Sequence, residues 1–381
     1  MQSAPGASAM DHARGRLPPL SLIPPVGVAL LSFAHTHQEH WARSLFADPR
    51  AVIRAVWDAD PCRGTAAAVR HATRFEGSLD TLLRRSDIQA VTICAETCRH
   101  ADLVMAAAQA RKHILCEKPI APSLSVCHRM QSAVAESGVT FMQSFPQRLL
   151  PANHRVRSLL REGAIGPLSL VRKRHGHYFA LRDLAETMPW ILDPAQAGGG
   201  AFLDEGVHQT DMLRWLLGDP FEVVALPGRR SAGRSLEDTG AAIYRFADGV
   251  TAVLEAGWSW VAGGPTTEIY GDRGTIVQGF TDCASAAAPL PGAAYLRLYR
   301  ADCPEPAWTD LGDPHDFWTI HQRVPRAFLD CLTAGGPPAS TLFDGVAALE
   351  MVLGAYQAAA ERRAVAFPLP DGVLQPGSPP A

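Results

Sequence analysis

With 381 residues, 47% of them hydrophobic and 19% charged, and a net charge of −3, the chain has a globular composition and length enough for two domains. The slightly acidic balance argues against a nucleic-acid binder with a basic face, and no stretch reaches the roughly 18 apolar residues of a membrane span. Eight scattered cysteines, none in a CxxC pair, read as reduced residues of a cytoplasmic protein rather than a disulfide framework or zinc knuckle.

Residues 1–21 are rich in Ala, Gly, Pro and Arg, lack the apolar stretch of a signal peptide, and read as a disordered tail. An apolar strand at 26–31 follows. It leads into Ser32-Phe33-Ala34-His35-Thr36-His37-Gln38-Glu39-His40 and a helical pattern through Trp41, Leu45 and Phe46. A second strand at 51–57 ends at Asp58. A βαβ unit with an acid at the tip of its second strand is the layout of a dinucleotide fold, where the acid accepts hydrogen bonds from the adenosine ribose. Asp58 and Asp60 together repel a 2′-phosphate, which favours NAD over NADP. The glycine fingerprint is missing. Leu30, Ser32 and His35 stand where GxGxxG would lie and crowd the approach of backbone to pyrophosphate. His35 and His37, with His40 close by, admit two readings: imidazoles bonded to backbone or phosphate, or ligands of a divalent metal at a strand end. The chain has no distal His, Lys and Asp set of the kind that accompanies such a pair in metal-dependent barrels, so no metal ligands are expected.

Strand and helix go on alternating: helix 78–85, strand 88–94, helix 101–111, strand 114–116, helix 124–137 and strand 138–143. The strand at 114–116 stops at Glu117-Lys118-Pro119, since proline cannot continue a central strand. Lys118 therefore sits at the carboxyl edge of the sheet, where ligands bind in open α/β folds. Residues 22–145 are expected to form a doubly wound parallel α/β sheet. From residue 146 the pattern becomes α+β: helix 151–162, a long strand 168–179 carrying His175 and His177, then strands at 221–226, 240–246, 250–258, 266–270 and 295–299. Hairpin signals at 247–249 and 271–274 and two amphipathic helices, 321–333 and 344–362, complete an open-faced, mainly antiparallel sheet covered on one side. This second domain ends near 369, and 370–381 reads as a loose tail.

Between the long strand and the next lies Gly198-Gly199-Gly200-Ala201-Phe202-Leu203-Asp204-Glu205-Gly206-Val207-His208, whose apolar spacing continues as a helix to Gly218. Asp204 and His208 are related as i and i+4 on one helix face, where a carboxylate fixes the tautomer of an imidazole and supports its cationic form. Such a pair is also a common helix-surface hydrogen bond. The three glycines allow the backbone to come close to something bulky.

Together these stretches resemble the Gfo/Idh/MocA oxidoreductases. Glu117-Lys118-Pro119 matches the family's EKP motif and Asp204-x-x-x-His208 its DxxxH helix. Supporting matches are 148–166, with a helix ending in a Gly-x-x-Gly turn, Phe246-Ala247-Asp248-Gly249, and Ala334-Gly335-Gly336-Pro337-Pro338 ahead of Asp344-Gly345. The likeness spans 26–369. It implies a Rossmann domain followed by an open-faced sheet domain, with a site between them that oxidises a secondary alcohol of a sugar or polyol, or reduces the ketone, using NAD. On this resemblance Lys118 hydrogen-bonds the reacting hydroxyl, its pKa lowered by burial and cofactor, His208 is the general acid/base, and Asp204 orients substrate or imidazole. The cofactor lies along Ser32, Phe33, Ala34, His35, Asp58, Glu96, Thr97, His100, Glu117 and Pro119. Arg148 falls at the family's substrate-facing arginine, and Trp190 stacks on sugar or cofactor or else belongs to the core; His175-x-His177, a departure from the family, faces the pocket with substrate or metal as its partner. Glu96-Thr97 replaces the family's Thr-Pro strand tip. A further implication is that another subunit covers the open sheet, giving a homodimer or homotetramer. Two other readings stay open: a non-catalytic dinucleotide- or sugar-binding regulator, and a metal-dependent lyase or hydrolase using His35 and His37.

Overall fold

The computed structural model describes residues 24–178, 184–229, 235–312 and 317–370. The tail expected at 1–21, nearly all of that from 370, and the end of the long strand at Phe179 lie outside them.

The first sheet is β1 (Val26–Leu31), β2 (Ala51–Trp57), β3 (Ala90–Ile93), β4 (His113–Cys116) and β5 (Phe141–Gln143), in the order β2-β1-β3-β4-β5 with every pair parallel. Its strands are near-continuous apolar runs because both faces are covered. Along β1, Val28 and Leu30 pack into one core layer with Trp41 and Leu45, while Ala29 and Leu31 face the other with Leu103 and Val104. One helix of this domain went unrecognised in the sequence. Pro61–Arg70 follows β2, with Asp60 as N-cap accepting the Cys62 and Arg63 amides and Pro61 in the first turn. The Asp-Pro signal for that start was present.

The second sheet comprises β6 (Leu168–Gly176), β7 (Glu222–Gly228), β8 (Thr239–Arg245), β9 (Thr251–Gly257), β10 (Thr267–Gly271), β11 (Gly274–Gln278), β12 (Leu296–Arg300), β13 (Trp308–Asp310) and β14 (Val365–Ala366). Their order is β13-β12-β11-β10-β6-β9-β8-β7-β14, antiparallel apart from the parallel pair β6–β9. Strand alternation sorts β6 cleanly. Val171, Lys173 and His175 are buried beneath the helices, whereas Arg172 lies on the open face, paired with Glu255 and Glu268. The helices Gly206–Leu217 and Leu342–Glu361 cover the inner face.

The helix Ile320–Ala334, next to last in the chain, does not stay with the second sheet. Its Val324, Phe328 and Leu329 enter the core layer of Val28, Leu30 and Trp41 in the first. That brings His321 to the carboxyl edge of the first sheet. Among the described residues no helix is long and apolar enough to cross a membrane.

Candidate active site

The tips of β1, β3 and β4 meet at the switch point of the first sheet, where Cys94 N–H donates to Leu31 O and His35 N–H to Cys94 O. Lys118, one residue past Glu117 at the end of β4, is 3% exposed and reaches across to the second domain. Its Nζ donates to Asp204 Oδ1 at 2.5 Å and to the Asp204 carbonyl at 3.2 Å. The predicted helix is interrupted here. Ala201–Asp204 forms one short piece, and Gly206–Leu217 resumes after Glu205. The other Asp204 oxygen accepts Trp258 Nε1 at 2.9 Å, and among the described residues no hydrogen bond joins Asp204 to His208. The tautomer-fixing role expected of Asp204 toward His208 is therefore not what the geometry shows.

Glu205, which the sequence reading passed over, is central. Its two oxygens lie 3.0 Å from His177 Nε2 and 3.1 Å from His175 Nε2. On the far side of His175, Gln147 Nε2 donates to Nδ1 at 3.0 Å, so the ring carries its proton on Nε2, toward Glu205. Burial presses every charge here toward neutrality, and neighbours decide the outcome. Lys118 loses from burial but gains more from Asp204, Glu205 and Glu117, so its pKa is raised. That reverses the expected lowering. Asp204, pushed up by burial, is held well below the usual carboxylate range by the Lys118 charge and His177. His177, disfavoured as a cation by burial, is raised to about 9 by Glu205 and then Asp204. His208 is driven well below 6.5 by burial, then by Lys118 and His175, and is neutral.

These side chains line a cavity of about 230 Å³ that also exposes His35, His37 and His321. It is smaller than the roughly 300–1,000 Å³ of drug-sized ligand sites and suits a small polar molecule.

The cofactor residues are placed as follows. Asp58, at the tip of β2, accepts the amides of Phe33 (2.8 Å) and Asp60 (3.0 Å) and a two-pronged contact from Arg63, which also reaches Glu96 at 3.1 Å. These four donors occupy the lone pairs of that carboxylate, so a ribose hydroxyl would take the place of one of them, the Arg63 side chain being the movable one. In the loop, Ser32 takes a left-handed φ of 70°, as a glycine would. The Ala34 and Thr36 amides are taken by movable side-chain acceptors, Ser32 Oγ at 3.1 Å and Met188 Sδ at 3.2 Å. A phosphate can displace such acceptors, so the loop fits a dinucleotide without the glycines. Thr97 and Pro119 line a small neighbouring pocket with His35. His100 does not face the crevice. Its ring nitrogens lie 2.8 Å from Pro119 O and 3.1 Å from Ala95 O, tying the tips of β3 and β4 together.

Two expected substrate contacts serve structure instead. The Arg148 guanidinium binds Asp211 through Nε (2.9 Å) and Nη2 (2.7 Å), and Asp344 at 3.0 Å, joining three helical segments. Trp190 is buried with Met188 and Ile191, its Nε1 donating to Ala34 O at 2.9 Å. Its core reading is the one the packing supports. His177 does line the cavity. His321 and Gln147 line it too, and both were missed. They sit in ordinary amphipathic or turn sequence, and only packing brings them to the site.

A parallel sheet whose strand tips carry a ribose-type acid and a lysine, closed by a histidine-bearing second domain, defines a dinucleotide-fold oxidoreductase. Residues 26–145 match the oxidoreductase family with an NAD-binding Rossmann fold, and residues 153–277 the GFO/IDH/MocA C-terminal domain. The chain belongs to the Gfo/Idh/MocA family. Relatives include 1,5-anhydro-D-fructose reductase of Ensifer adhaerens, 29% identical over 79% of this chain and 87% of that protein. Inositol 2-dehydrogenase of Acidothermus cellulolyticus is 30% identical over 66% and 72% respectively. The solved structure of levoglucosan dehydrogenase in complex with NADH and levoglucosan shares the fold, with a TM-score of 0.78 and 22% identity over 91% of this chain and 100% of that one.

Proposed function

We propose that this enzyme uses NAD(H) to interconvert a secondary alcohol and a ketone on a sugar, sugar derivative or polyol. The observation that carries the reading is a buried His208, kept neutral by its surroundings, sharing one small cavity with a Lys118 whose ammonium form is favoured by Asp204. Bound NAD supplies the hydride acceptor. Lys118 Nζ, anchored on Asp204, keeps donor capacity for the reacting oxygen and stabilises negative charge developing there. As the neutral group, His208 receives the hydroxyl proton in oxidation and returns it in reduction. His177, cationic beside Glu205, binds a neighbouring hydroxyl. Relatives named for anhydrofructose and inositol support the substrate class. The open face of the second sheet, bearing exposed Val224, Leu226 and Ile243, supports a homodimer or homotetramer.

Titrating the protein with NADH and NADPH by nicotinamide fluorescence tests the cofactor half. NADH should bind preferentially and weaken in Asp58→Ala, and failure of both nucleotides to bind would overturn the reading. Turnover on a panel of sugars and polyols tests the rest. His208→Gln should lower kcat by roughly 10²–10⁴-fold while leaving NADH affinity unchanged.

A further inference from the structure

Glu117 is fully buried, and among the described residues no hydrogen-bond donor reaches either of its carboxylate oxygens. The contact it does make is to His37 Nδ1, 3.3 Å from Oε2. His35 stands beside His37 with ring centroids 4.2 Å apart, and one ligand-type atom from each of His35, His37 and Glu117 falls within 4.8 Å of the others. A buried carboxyl group left without a hydrogen-bond donor costs free energy. The Lys118 ammonium follows in sequence, but its bonds go to Asp204.

A second cluster, His177, Asp204 and Glu205, has the same compactness and the opposite electrostatics. Two cations, Lys118 and His177, there face two carboxylates. In that group the carboxylates are bonded to Lys118, Trp258 and the histidines, whereas both Glu117 oxygens lack a hydrogen-bond donor among the described residues.

We propose that His35, His37 and Glu117 bind a divalent transition-metal cation in the wall of the cavity, and that its open coordination position takes an oxygen of the substrate. Two imidazoles and one carboxylate form a donor set for zinc and its first-row neighbours. The cation competes with one weak contact, the His37 amide at 3.2 Å from His35 Nδ1. His321, stacked on His37 with centroids 3.6 Å apart, holds that ring in place from the returning helix Ile320–Ala334. His35 occupies the last glycine position of the dinucleotide fingerprint, so the departure from that fingerprint supplies a ligand. The metal site stands on these residues alone, whereas the substrate clause rests on the proposed function.

The full-length protein, stripped with chelator, is titrated with Zn²⁺ by calorimetry and with Co²⁺ by visible absorption. The expected result is a single equivalent bound at micromolar affinity or better, with a Co²⁺ ligand-field spectrum. Glu117→Gln and His37→Ala should each weaken binding by about 100-fold or more, and Glu205→Gln should not. Two variants guard against one failing to fold, and each is checked by its thermal melt. No uptake of either ion by protein with a cooperative melt overturns the proposal, as does loss of binding in Glu205→Gln with retention in Glu117→Gln. NADH titration of the same samples separates the two readings. Nucleotide binding without metal sinks only the metal site, and metal without nucleotide binding sinks the dehydrogenase.

Discussion

Lys118, Asp204, Glu205 and His177 touch one another in a buried cluster, where burial acts against each charge and the mutual contacts act for it. His177 provides the cleanest readout. Burial disfavours its charge, and Glu205 and then Asp204, which face it, more than offset that. Its folded pKa of about 9 lies above the ordinary 6.5, so the folded protein holds the extra proton between those values. The resulting stabilisation is complete below about pH 6.5 and is lost as pH rises through about 9. Thermal melts should therefore fall by a few degrees, on the order of 2 kcal/mol, between pH 6.5 and 9.5. In His177→Gln this segment of the profile should flatten, and an unchanged slope would refute the assignment.

Where two elements meet, buried polar contacts fix their relation. Arg148, 6% exposed, ties the turn Pro146–Leu149 to Asp211 on the helix Gly206–Leu217 and to Asp344 on Leu342–Glu361. Arg148→Leu leaves the buried Asp211 without its cation, while Asp344 keeps Arg214, and should cost about 3–5 kcal/mol in urea unfolding. NADH affinity should not change, because the guanidinium is not at the crevice. The glycine run acts similarly. A Cβ on Gly200 would lie 2.0 Å from Glu237 O, and Glu237 Oε1 accepts the Gly200 and Phe202 amides at the start of the helix that carries Asp204. Gly200→Ala should destabilise by about 1–3 kcal/mol and also lower kcat through displaced Asp204. Full activity in a stable Gly200→Ala protein would show that Asp204 does not depend on this approach.

For the whole molecule, the second sheet leaves one face uncovered. Val224 pairs with Ile243, and Ile243 with Val253, forming an apolar row across three strands. Val224 and Ile243 are 43% and 44% exposed. Light scattering at micromolar concentration should report a dimer or tetramer, and Ile243→Asp should shift it toward monomer. A monomeric wild type would refute the association.

Periodicity made the first sheet and six strands of the second legible, while Gly274–Gln278, Trp308–Asp310 and Val365–Ala366 went unread. Apolar runs alternating with helical patterns specify a parallel sheet covered twice, and period-two strands with turn residues specify a half-open one. The motifs around Lys118 and Asp204 pointed to residues that meet at one cavity. What the sequence could not contain is which partner each polar side chain meets. An i,i+4 spacing placed Asp204 over His208, but Lys118, 86 residues away, draws it elsewhere and coincides with the break in the helix. Arg148 looked like a substrate contact because nothing local shows that Asp211 and Asp344 converge on it. Raised Lys118, neutral His208 and unpaired Glu117 are likewise products of the fold. Charge in a low-dielectric interior depends on distances set by packing between segments remote in sequence.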